Sequence, residues 1–166
     1  MATQSKEELF KDIEQTLVNH GFTIVERDEN RPWGGFFVID EEQAQQFADA
    51  FFNGIDVKEL RIAGKLSPKI LFVAPHKKLS WQYHHRRAEI WQVYQGEVGV
   101  ITSQTDEEGE LQTLNEGDVI KLEQGQRHRL VGLGDWAVLA EIWQHTDPAN
   151  PSNEEDIVRV QDDFGR

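Results

Sequence analysis

From Lys69 onward the chain is a succession of short β-prone runs, each closed by a turn signal, and this pattern constrains the fold more than any other feature. The turn signals are Gln95-Gly96, Asp106-Glu107-Glu108-Gly109, Asn115-Glu116-Gly117-Asp118, Gln124-Gly125 and Gly132-Leu133-Gly134-Asp135. They divide the sequence into strands expected at 69–74, 79–85, 89–95, 97–102, 110–114, 118–122, 127–131 and 136–143. Many short strands at close, regular spacing predict a sandwich or barrel, with no room for the helices of a parallel α/β sheet. At 166 residues the chain fits one domain with a substantial core. Repeats, low-complexity tracts and linkers are absent.

The first third reads differently. Ser5-Lys6-Glu7-Glu8 is a capping box, and Leu9, Phe10, Ile13, Leu17 and Val18 follow at helical spacing until Asn19-His20-Gly21. Phe22 to Glu26 predicts a short strand, Asp28 to Pro32 a turn, and Phe36 to Ile39 another strand. Asp40 can cap a second helix at roughly 41–55, with Ala44, Phe47, Ala48, Phe51 and Phe52 on one face and Asn53-Gly54 as its stop.

The densest chemistry lies between Gln82 and Glu89, where two imidazoles, a carboxamide, two guanidiniums and a carboxylate fall within eight residues. On a strand Gln82 and His84 project to the same face. A bend near Arg86-Arg87 would return Glu89 to the same point, on a face shared with Trp91 and Val93. About forty residues on, Gly117 to Arg127 reads as a strand, a glycine turn and a returning strand that delivers His128. Two imidazoles, a carboxylate and an amide oxygen make a mixed N/O set suited to Zn²⁺, Mn²⁺, Fe²⁺, Co²⁺ or Ni²⁺. His85, next to His84 on the same strand, points to the opposite face and is left out. His20, His76 and His145 lack comparable context, and Trp81 and Trp91 read as core residues.

Charge narrows the partners. A formal net charge of −13 argues against nucleic acid or an anionic membrane. Within that acidic chain, residues 60–88 carry no Asp or Glu but hold Arg61, Lys65, Lys69, Lys77, Lys78, Arg86 and Arg87. Such a run is either a solvated face or a local positive potential for an anionic substrate such as a sugar phosphate. No segment approaches a transmembrane helix, the N-terminus lacks the pattern of a signal peptide, and there is no cysteine, so a cytoplasmic location is expected.

These motifs resemble a known family. Gln82-x-His84, then Glu89, then Gly96 has the spacing of the first cupin motif with Gln in place of its first His, and Gly117 to His128 resembles the second. Arg31-Pro32-Trp33-Gly34, the run from Leu79 to Trp91, His128-Arg129-Leu130 and the closing Glu155 to Arg166 look like the type II mannose-6-phosphate isomerase cupin domain. That domain is commonly fused to a mannose-1-phosphate guanylyltransferase, whose glycine-rich nucleotide loop this sequence lacks, so GDP-mannose synthesis is not implied. The N-terminal helix, the second helix and Glu123, which stands where a proline is usual, depart from the pattern and bear on substrate identity.

The resemblance implies a mainly β protein, a cupin double-stranded β-helix or jelly-roll barrel with added N-terminal α-helices. Residues 1–166 would form a single cupin domain: 1–60 an extension with the first strands, 69–145 the barrel core, and 146–166 a tail packing on the barrel. It implies metal ligands Gln82, His84, Glu89 and His128 for a divalent metal ion, zinc first. It also implies Arg87 and Arg166 near a sugar phosphate, Arg166 folding back over the barrel mouth. The expected function is metal-dependent aldose–ketose isomerisation of a phosphorylated sugar, most simply mannose 6-phosphate to fructose 6-phosphate. Its rivals are another cupin sugar isomerase or epimerase and a non-catalytic metal- and sugar-binding cupin. Exposed edges of an open jelly roll leave room for a homodimer.

Overall fold

A computed structural model describes residues 5–52, 66–145, 149, 152 and 156–161. Arg61, Lys65, Arg166 and the helix stop at Asn53-Gly54 lie outside the described residues. Among those described, two helices and eleven strands follow in order: α1 (Lys6–Asn19), β1 (Ile24–Arg31), β2 (Gly34–Ile39), α2 (Ala44–Phe51), β3 (Lys69–Val73), β4 (Trp81–Tyr83), β5 (Arg87–Gln95), β6 (Val98–Ser103), β7 (Gln112–Leu114), β8 (Val119–Leu122), β9 (Arg127–Gly132), β10 (Ala137–His145) and β11 (Val158–Gln161). The strands form two antiparallel sheets, β1-β2-β3-β10-β5-β8 and β11-β4-β9-β6-β7. This is the expected jelly roll: from β3 onward every connection except β6–β7 passes from one sheet to the other.

Alternation along β10 shows how the layers are built. Ala137, Leu139, Glu141 and Trp143 face the barrel interior, whereas Val138, Ala140 and Ile142 join the opposite core. That outer core is covered by α1 and α2. Leu9, Phe10, Ile13 and Leu17 of α1 and Ala44, Phe47, Ala48 and Phe51 of α2 are buried with Phe37, Ile70, Phe72 and Ile90 of the sheet. The six-stranded sheet is therefore apolar on both faces, because the helices shield the outer one. Ser5 Oγ accepts from the Glu8 N–H at 3.2 Å and caps α1. At the other end Gly21, at φ +83°, lets the Phe22 N–H reach back to the Leu17 carbonyl at 2.9 Å. Val18, read as part of the apolar face, is 55% exposed.

Three other expectations are corrected. The turn expected over Asp28–Pro32 is mostly strand: β1 runs to Arg31, and only Pro32 and Trp33 separate it from β2. A sheet edge tolerates such a polar, charged strand because one side of it meets solvent. Asp40 does cap, but it caps a 3₁₀ turn over Glu41–Gln43 that leads into α2, its Oδ1 accepting from the Glu42 N–H at 3.1 Å. The glycine turn before His128 does not close a hairpin within one sheet. Strand β8 pairs with β5, while β9 pairs with β4 and β6. This crossing places His128 directly opposite Gln82.

Candidate metal centre

The β4–β5 connection, residues His84 to Arg86, bends from the five-stranded into the six-stranded sheet. Gln82 ends up on one side of the bend, Glu89 on the other, and His128 comes in from β9. His84, Glu89 and His128 are each buried, and one potential ligand atom from each lies within 4.8 Å of the others. Glu89 Oε1 is 3.1 Å from His84 Nε2 and 2.9 Å from His128 Nε2. The Gln82 amide nitrogen is 3.5 Å from both imidazole nitrogens.

The hydrogen bonds behind the two rings settle which way each presents its lone pair. His84 Nδ1 donates to the Asp156 carbonyl at 2.7 Å, and His128 Nδ1 donates to the Gln126 carbonyl at 3.0 Å. A carbonyl only accepts, so the protons sit on Nδ1 and a neutral ring has its lone pair on Nε2. Both lone pairs face Glu89 Oε1, a buried oxygen that receives no hydrogen bond. Three electron-pair donors turned on one another are suited to a cation between them. Donors about 2.0–2.2 Å from a shared Zn²⁺ or similar ion lie roughly 3–3.5 Å apart, which is the spacing found. The residues fit a divalent metal.

Gln82 completes the set after a half-turn of its amide. Its oxygen accepts a very short hydrogen bond from Ser80 Oγ, leaving the nitrogen toward the imidazoles. A hydroxyl serves as donor or acceptor, so Ser80 accommodates the reversed amide, which would present oxygen to a cation. Burial by itself would raise the Glu89 carboxyl. Without an ion, protonation at His84 and hydrogen bonds from the two rings, together with Arg87, hold it well below the usual carboxylate range. The positive charge then takes the place an ion would fill between neutral rings.

Arg87 packs against this centre, its Nη2 3.3 Å from His84 Nε2 and its Nε 3.8 Å from Glu89 Oε2. The guanidinium stacks on the Trp143 ring at 3.6 Å, and Nη1 donates to Ser152 Oγ at 3.0 Å. His85 is exposed and stays outside the site. Lys77 and Lys78 are also exposed, so the basic run divides, and of its described members only Lys69 and Arg87 line the cavity beside the centre.

That cavity reaches from Gln82 and Glu89 to the β1–β2 hairpin. Arg31, Lys69, Arg87 and Arg159 line it, against the two carboxyls of Glu89 and Glu141. Lys69 is buried, with its ammonium 3.9 Å over Trp143. Glu141 accepts from the indole N–H of Trp91 at 2.7 Å and of Trp143 at 2.9 Å. Burial, reinforced by the Glu89 carboxylate, pushes Glu141 up to about 8. Trp91 is core, as expected, and also cavity wall. Glu141, Arg31, Arg159 and Asp156 were not among the residues expected at the site, and Lys69 was expected only as a member of the basic run. An acid within the apolar run Ala137–Trp143 was the one sequence signal that could have marked Glu141.

A two-sheet jelly roll with two imidazoles and a carboxylate converging in its mouth is a cupin-type barrel. Residues 53–162 match the family described as mannose-6-phosphate isomerase C-terminal, and the chain belongs to that family. Mannose-1-phosphate guanylyltransferase ManC of Salmonella typhimurium is 29% identical over 141 residues, 84% of this chain and 23% of its own length. Xanthan biosynthesis protein XanB of Xanthomonas campestris is 33% identical over 137 residues, 82% of this chain and again 23% of its own. The chain thus spans under a quarter of both curated relatives. Among solved structures, oxalate decarboxylase of Bacillus subtilis superposes with a TM-score of 0.56 at 15% identity, over 81% of this chain and 29% of that one. The capsular polysaccharide assembling protein CapF of Staphylococcus aureus gives 0.55 at 14% identity, over 82% and 34%. At such identities the two structures support the fold alone. Among the described residues no helix is long and apolar enough to cross a membrane.

Proposed function

We propose that this protein is a metal-dependent aldose–ketose isomerase of a phosphorylated sugar, most simply interconverting mannose 6-phosphate and fructose 6-phosphate. The observation that carries the reading is the pairing of a three-donor centre with a cationic cavity. His84, Glu89 and His128, completed by Gln82, would hold the ion, with zinc the first choice for two imidazoles and a carboxylate lacking sulfur. A divalent ion there supplies Lewis-acid polarisation of a sugar oxygen.

The remaining chemistry belongs to the chain. Four cationic side chains line the cavity against two carboxyls, so the balance of charge around it is positive. An acidic protein has thus placed a positive pocket beside its candidate metal centre, a match for a phosphate dianion. Arg87 is fixed by Ser152 and Trp143, so its guanidinium is pre-oriented toward a bound sugar or its phosphate. Trp33, Trp91 and Trp143 supply apolar wall for the sugar ring and limit water around an enediol. The family description and the two curated relatives, which act in mannose phosphate and polysaccharide metabolism by name, agree with this substrate class. A cytoplasmic location fits such a substrate.

The test is to measure bound metal in the purified protein and follow mannose 6-phosphate conversion before and after chelation. Conversion that stops on chelation and returns with zinc is expected. Conversion that survives complete metal removal would overturn the mechanism, and tight zinc without turnover of any phosphosugar would favour the non-catalytic binding module.

A further inference from the structure

We infer that the C-terminal segment is a working part of the metal centre, and that Asp156 is the positioning residue through which it acts. The inference rests on the metal reading above and concerns how one ligand is held.

The two imidazoles are braced differently. The brace of His128 is local, the carbonyl of Gln126 two residues away. The brace of His84 is the carbonyl of Asp156, 72 residues along the chain. The nearby Gln82, Arg87 and Glu89 all meet the Nε2 side of that ring, and its Nδ1 is held from Asp156. The backbone around it, His84 to Arg86, lies between β4 and β5 outside any ladder. The β8–β9 turn holds its carbonyls, the Gly125 N–H donating to that of His84 at 3.1 Å and the Gln124 amide to that of His85. This leaves the amides of His85 and Arg86 to another partner.

Asp156 takes over this bend. Its Oδ1 accepts from the His85 N–H at 3.0 Å, and its Oδ2 accepts from the Arg86 N–H at 2.9 Å. Oδ2 also accepts from Ser152 Oγ at 2.6 Å, and Ser152 in turn accepts from Arg87 Nη1 at 3.0 Å. One short segment therefore grips four consecutive residues, His84 by its ring, His85 and Arg86 by their amides, and Arg87 by its guanidinium. Asp156 and Ser152 are 3% and 2% exposed, so these bonds face little competition from water. Directly after them β11 pairs with β4, Val158 opposite Tyr83 and Arg159 opposite Gln82, which zips the segment beside a further ligand candidate. Metal ligands whose second nitrogen is held by an outer partner depend on that partner for ring orientation and tautomer.

The consequence is an asymmetry. Lifting the segment removes the Nδ1 brace of His84 while His128 stays braced, so metal affinity falls although every candidate ligand remains. In Asp156→Ala the backbone carbonyl survives but loses its anchor. In the milder Asp156→Asn one amide can still be accepted.

The experiment uses the full chain and Zn²⁺ alone, titrated in competition with a chromophoric chelator. Asp156→Ala is expected to bind zinc about 10–100-fold more weakly than the parent, with Asp156→Asn between them. A second readout needs no metal. Nitrogen shifts of ¹⁵N-labelled histidines should report the Nδ1–H tautomer for both site rings in the parent, and loss of that preference at His84 but not His128 in the variants. Asp156→Asn carries the test should Asp156→Ala fail to fold. A parent that binds zinc together with variants of unchanged affinity, or equal loosening of both rings, overturns the role of Asp156 and leaves the metal centre standing. A parent that binds no zinc overturns the metal centre and this inference with it.

Discussion

At the scale of single residues, the centre distinguishes between donors that are locked and one that is adjustable. Glu89 is buried between two imidazoles and Arg87 and carries the only charge among the candidate ligands. Gln82 is half-buried, neutral, and must turn its amide to coordinate. Glu89→Gln keeps the shape and removes the charge, so it should weaken zinc binding far more than Gln82→Ala does, with His84→Ala and His128→Ala alongside Glu89→Gln. Titration calorimetry with zinc checks the order, and a Gln82→Ala variant as impaired as His84→Ala would place the amide on equal footing. Much of this set was legible beforehand, because Gln82, His84 and Glu89 are close in sequence and a glycine turn announced His128. Its supports were not legible. Beside short-range bonds to Trp143 and Ser152, the hydrogen bonds that tie Glu141 and Asp156 to the site span 50 and 70 or more residues. A lone acid in a strand or tail gives no local sign of the partner it will meet.

At the scale of elements, the cavity is built by pieces from both ends of the chain. Strand β3 pairs with both β2 and β10, which brings Arg31 and Trp33 of the N-terminal hairpin to the same cavity as Lys69 and Glu141. The hairpin reaches this position only through Gly34, at φ +143°, where a Cβ would meet the Phe72 carbonyl oxygen at 1.9 Å. Helix α1 holds the sheet from behind. Phe10 stacks on Phe72 with ring centroids 3.9 Å apart and meets Phe37 edge-on at 5.7 Å. Phe10→Ala should cost about 3–5 kcal/mol of stability in denaturant unfolding, while zinc affinity of the folded protein stays near that of the parent, since α1 lies on the outer face of the sheet. A large loss of zinc affinity would mean that the helix shapes the site. Helices and inner strands were readable because periodicity reports burial. Strand β1 was misread because none of its eight residues is buried, so no alternation marks it, and the crossing of β8–β9 between sheets is a tertiary fact with no local sequence mark.

At the scale of the whole molecule, the centre is a junction where the two sheets and the C-terminal segment meet. Its candidate ligands come from β4, the β4–β5 bend, β5 and β9, and the outer brace comes from residue 156, so a bound ion would tie together segments whose association is otherwise part of global folding. Without a cation, the same junction buries a carboxylate facing two lone pairs, an arrangement that costs stability unless protons fill the gap. Zinc should therefore stabilise the fold by mass action, about 2.7 kcal/mol at a free concentration one hundred times its Kd. For a domain of this size, each kcal/mol moves the melting temperature by roughly 2–4 °C, so the chelated protein is expected to melt about 5–10 °C below the zinc-loaded one. Differential scanning calorimetry of the two forms decides the matter. The gap should widen with the logarithm of zinc concentration and shrink to near zero in His128→Ala, which retains the His84 brace but lacks one converging donor. A gap that persists at full size in that variant would show that zinc stabilises the protein from somewhere else.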